Sequence, residues 1–80
     1  MANFIIAPTL TMGMKAPYTG ILIATTWPLG NALGKIENNA NSDTNTVYFV
    51  KSEEHDKANL NKIYAALAAI SKVIIEEVSL

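Results

Sequence analysis

Chemistry in this chain would have to begin at a single histidine. His55 lies in the run Glu53-Glu54-His55-Asp56, and an imidazole among carboxylates is the raw material of a general base or a metal site. The sequence completes neither. A catalytic base needs a positioned partner and a pocket, and zinc needs more ligands than one histidine can offer in a chain without cysteine. The run also suits a solvated helix cap, with Glu53 and Glu54 favourable beside a helix N-terminus. Any ligand held there would have to be shared between subunits.

Other patterns carry only part of a signature. Asn39, Asn41, Asp43 and Asn45 place side-chain oxygens at every second position, but a calcium loop also requires a glycine at its sixth position and a glutamate at its twelfth. These residues read as an ordinary polar loop. Gly30 and Gly34 precede Lys35, which lacks the following Ser or Thr of a phosphate loop; the pair fits a place where another backbone comes close. Ser42, Ser52, Ser71 and Ser79 lie outside any nucleophile-elbow pattern. No catalytic residue, metal or cofactor is expected, and the chain reads as a non-enzyme.

Charge narrows the partners. Six lysines face seven carboxylates, arginine is absent and the net charge is −1. Arginine is the residue that forks onto phosphates and guanine edges, and nucleic-acid binders carry a basic patch. Trp27, Tyr18, Tyr48, Tyr64, Phe4 and Phe49 could stack on bases, but the electrostatic half of such a site is missing. No nucleic-acid partner is expected. Membrane binding is not expected either: the lysines are dispersed, and the apolar stretch from Ile63 to Ile75 contains Ser71 and Lys72 and falls short of the roughly 20 residues a spanning helix needs. A cytoplasmic or virion setting is the expectation.

The elements that would position these residues follow from periodicity. Phe4, Ile6, Pro8, Leu10, Met12 and Met14 fall on one side and Asn3, Ala7, Thr9, Thr11 and Gly13 on the other, which predicts a strand over 3–14 that is bulged or at an edge near Pro8. Lys15 to Gly20 reads as a turn, and Ile21 to Thr26 as a second strand, antiparallel to the first because the connection looks too short for a crossover. Thr26 as cap, Pro28, and Leu29, Leu33 and Ile36 suggest a short helix over about 27–37, against which Gly30 and Gly34 each count about 1 kcal/mol. The tract 38–45 reads as a loop and 46–51 as a third strand. Ser52 or Asp56 then caps an amphipathic helix with Leu60, Ile63, Tyr64, Leu67, Ile70, Ile74 and Val78 at spacings of three and four, running to about Glu77. The alternative ends that helix near Ser71 and makes 72–80 a strand, because Val73-Ile74-Ile75 is β-branched. The expected fold is a single α+β domain over 1–80, with an antiparallel sheet of about three strands and one long C-terminal amphipathic helix.

The functional expectation comes from surplus. Half of the residues are apolar and only 16% are charged, against about 25% in an average domain, although a chain of this size has much surface to cover. A monomer would expose a sizeable apolar area, and such patches mark interaction sites. The chain therefore reads as a self-assembling structural or interaction protein, a homo-oligomer subunit of the kind found in phage or viral particles and filaments. Leu60, Ile63, Tyr64, Leu67, Ile70, Ile74 and Trp27 are its candidate interface residues. The alternative is a small module or inhibitor that binds another protein.

Overall fold

The computed structural model describes residues 2–80. Strands and helices alternate along them: β1 (Ala2–Ala7), α1 (Leu10–Met14), β2 (Ile21–Ala24), α2 (Leu29–Asn39), β3 (Thr44–Val50), α3 (Lys57–Ile70) and β4 (Lys72–Val78). The strands form one sheet in the order β2-β1-β3-β4, and each neighbouring pair is parallel. Right-handed crossovers account for the layering. The first moves toward β2 and the next two move back across the sheet, so α1 belongs on one face and α2 and α3 on the other. The two cores match that division. Phe4, Ile6, Ile23 and Val47 pack with Ala32 and Ile36 of α2 and Ile63 and Leu67 of α3, while Ile5, Ala7, Val50 and Val78 pack on the side of Met12 in α1.

The expected antiparallel sheet of about three strands is overturned in both direction and number. Residues 8–20 explain the direction. Leu10, Met12 and Met14 keep the two-residue spacing of the first strand, but β1 stops at Ala7 because Pro8 has no N–H for the ladder. Thr9 then caps α1 by accepting the Met12 N–H at 3.2 Å. Ending the strand early releases about a dozen residues, enough for a parallel return. Pro8 thus ends a central strand and does not mark an edge. Gly13 lets the short crossover lie flat on the sheet: a Cβ there would meet Leu22 Cδ2 at 2.6 Å and Ala7 Cβ at 3.4 Å.

The single long C-terminal helix is also corrected, in favour of the alternative that ends it near Ser71. Asp56 caps α3 by accepting the Asn59 N–H at 3.0 Å, and the helix ends at Ile70, with Ser71 already extended at φ −161° and ψ 178°. The β-branched Val73-Ile74-Ile75 run is better accommodated on a pleated surface than in a further helical turn, and it forms the middle of β4. The short helix expected over 27–37 is present as α2, shifted to 29–39. Its cap position is Pro28, because the Thr26 hydroxyl donates instead to the Pro8 carbonyl at 2.6 Å. The polar tract is divided: Asn38 and Asn39 complete α2, while Thr44 and Asn45 open β3. Among the described residues no helix is long and apolar enough to cross a membrane.

Candidate functional site

In an open parallel sheet the usual ligand crevice lies beyond the carboxyl ends of the strands, where neighbouring connections leave for opposite faces. Here that point lies between β1 and β3, and His55 stands beside it in the connection from β3 to α3. Its Nε2 is 2.6 Å from the Val50 carbonyl and its Nδ1 is 3.1 Å from the Thr25 hydroxyl. A carbonyl only accepts, so Nε2 carries the proton and donates it. In the neutral ring Nδ1 then accepts from Thr25, whose oxygen accepts the Asp56 N–H at 3.2 Å. Asn59 donates to the carbonyls of Thr25 at 3.0 Å and Trp27 at 3.2 Å. These bonds tie the ends of β2 and β3 to the start of α3, and the Thr26 bond to Pro8 adds β1.

This arrangement has little to offer a substrate. Both imidazole nitrogens are engaged, the residue is 7% exposed and its ring stacks on Phe49 with centroids 4.6 Å apart. The solvated cap expected for residues 53–56 holds for the exposed Glu53, Glu54 and Asp56 but not for His55. Ser52 accepts the Glu54 N–H, and Asp56 is occupied as the α3 cap. Among the described residues no three of His, Asp or Glu gather in a way that could hold a metal ion.

The other sequence candidates are scattered. Asn45 is fully buried, with its side chain donating to the Asn41 carbonyl and to Ser71 Oγ and accepting the Asn41 N–H, so it pins the α2–β3 loop to the turn before β4. Asn39 donates instead to the Lys35 carbonyl, within its own helix. Gly30 and Gly34 line an open groove of about 590 Å³ on α2 with Trp27, Asn31, Lys35, Asn38 and Asn39. The aromatic residues form no common platform: Phe4 is core, Phe49 lies near Tyr64, and Tyr18 stacks on Tyr48 at 4.0 Å.

The residues expected at an interface divide by depth. Ile63 and Leu67 are fully buried against the chain's own sheet, and Leu60, Tyr64 and Trp27 are half-buried beside them. Only Ile70 and Ile74 reach the surface, and they lie near further exposed apolar residues outside the expected stripe. Ile75 is 53% exposed and Leu80 56%. Ile74 and Ile75 lie in β4, Ile70 is the last residue of α3 just before it and Leu80 follows it, and β4 is an edge of the sheet. The β-branched run at 73–75 was the available signal, but it becomes one only if the helix stops at Ile70. Tyr18 reaches this strand from the α1–β2 connection, its hydroxyl donating to Glu76 Oε1 at 3.0 Å. That bond and the carboxylate charge raise the pKa of the phenol above its ordinary value. Tyr64, on the opposite face, is pushed up to about 12, by burial first and the charge of Glu77 second.

Compared with protein-family models, curated proteins and solved structures, the chain shows no match in any of the three.

Proposed function

We propose that this chain is a non-enzymatic subunit that assembles with copies of itself through the β4 side of its sheet. The observation that carries this reading is the character of β4. It is seven residues long and contains no proline, it lies at the sheet edge, and it exposes Ile74 and Ile75 on its two opposite faces. A long edge with bare apolar side chains is a template for another strand unless something covers it. The engagement of both His55 nitrogens within the fold favours the non-enzymatic part of this reading.

Light scattering after size-exclusion chromatography, over a hundredfold range of concentration, tests it. A mass that rises to a multiple of 8.6 kDa is expected. A monomer at every concentration would overturn self-assembly and leave the edge to a foreign strand.

A further inference from the structure

We infer, building on the self-assembly reading, that β4 pairs antiparallel with β4 of a second copy about a two-fold axis at Ile74, giving one continuous eight-stranded sheet. The backbone limits the choices first. The Lys72 N–H bonds to the Asp43 carbonyl at 3.2 Å, and the Val78 carbonyl accepts the Lys51 N–H at 2.9 Å. In a parallel ladder such residues alternate, so Lys72, Ile74, Glu76 and Val78 turn their backbone groups toward β3. Val73, Ile75 and Glu77 turn theirs outward, where the edge offers no ladder partner among the described residues.

Symmetry limits the choices again. A two-fold axis normal to the sheet keeps each face on the same side, so odd-numbered residues of one copy meet odd-numbered residues of the other, which is what outward groups at 73, 75 and 77 require. Centring on Ile74 places Val73 opposite Ile75, exchanging backbone bonds twice, and Lys72 opposite Glu76, giving two pairs of opposite charge. Centring on Ile75 would set Ile74 against Glu76 and Val73 against Glu77, and centring on Glu76 would set two carboxylates face to face. Cross-strand pairs favour opposite charges and apolar matches and penalise like charges, which selects Ile74. Tyr18, stacked on Tyr48, occupies only Oε1 of Glu76, leaving Oε2 to the lysine of the second copy. An isologous contact of this kind closes at two.

Because the chain has no cysteine, directed cross-linking tests the register. Directly opposed residues that lack mutual backbone bonds lie about 4.5 Å apart at Cα, within disulfide reach. Under mild oxidation Ile74→Cys is expected to give a covalent dimer and Ile75→Cys is not. Lys72→Glu should weaken association at least about tenfold by opposing like charges, and Lys72→Glu with Glu76→Lys should restore it. An assembly in which Ile75→Cys cross-links in place of Ile74→Cys, or which ignores Lys72→Glu, would overturn this pairing while leaving self-assembly standing. A wild-type monomer at all concentrations would overturn both.

Discussion

At the carboxyl ends of the strands, His55, Thr25 and Asn59 spend their hydrogen-bonding groups on one another and on the carbonyls of Val50, Thr25 and Trp27. Along β4, Val73, Ile75 and Glu77 direct their backbone groups away from β3. The contrast reverses what residue type alone suggests. The residue best equipped for side-chain chemistry is engaged in bonds that tie the strand ends to α3, whereas along β4 it is the backbone of Val73, Ile75 and Glu77 that has no ladder partner among the described residues. A polar group that is buried and fully satisfied belongs to the fold's stability, whereas an unsatisfied edge belongs to whatever can satisfy it.

The comparison breaks most readily at His55. His55→Ala leaves a cavity beside Phe49 and strips partners from the Val50 carbonyl and the Thr25 hydroxyl, at an expected cost of about 2–4 kcal/mol. Denaturant unfolding measures that loss, and the assembly state of the folded fraction should not change. Altered assembly with intact stability would assign His55 to the interface instead.

Tyr64 offers a pH test between the two regions, since it lies near Phe49 and senses Glu77. Its ordinary value is 10.0 and its folded value about 12, so the unfolded chain releases this proton first. Its contribution to stability is therefore fully present below about pH 10 and is lost as pH rises through 12. Unfolding followed with phenolate absorbance should show stability falling in that window, and the Tyr64→Phe variant should show a smaller fall there.

The mildest change concerns the groove on α2. A Cβ added at Gly30 or Gly34 stands in open space, so Gly34→Ala should stabilise the fold by about 0.5–1 kcal/mol through helix propensity, without affecting assembly. Stabilisation accompanied by lost association would move the partner surface from β4 to α2.

Local order was legible in the sequence where a pattern was complete within one element. The spacing of Leu60, Ile63, Tyr64 and Leu67, and the cap at Asp56, located α3. The β-branched residues after Thr46 located β3. Strand direction was not legible, because Leu10 and Met12 continue the alternation of β1 by coincidence of spacing and hide the crossover that Pro8 begins. The end of α3 was masked in the same way: Ile74 and Val78 extend its helical spacing although they point to one face of a strand. The burial of His55 had no local signal, since Thr25 is thirty residues away in sequence. Of the exposed apolar residues around β4, Ile70 and Ile74 fell on the expected helical stripe and Ile75 did not, because a helical stripe and a strand edge select different neighbours.

Amide hydrogen exchange at Val73 and Ile75 reads the β4 pairing itself, since these N–H groups gain a ladder partner only when a second strand is present. At low concentration they should exchange like free edge amides, and at high concentration they should become protected in step with the rise in mass, while the Asp56 amide bound to Thr25 stays unchanged. Exchange of Val73 and Ile75 that remains fast as the chain assembles would rule out pairing at the β4 edge and place the contact elsewhere.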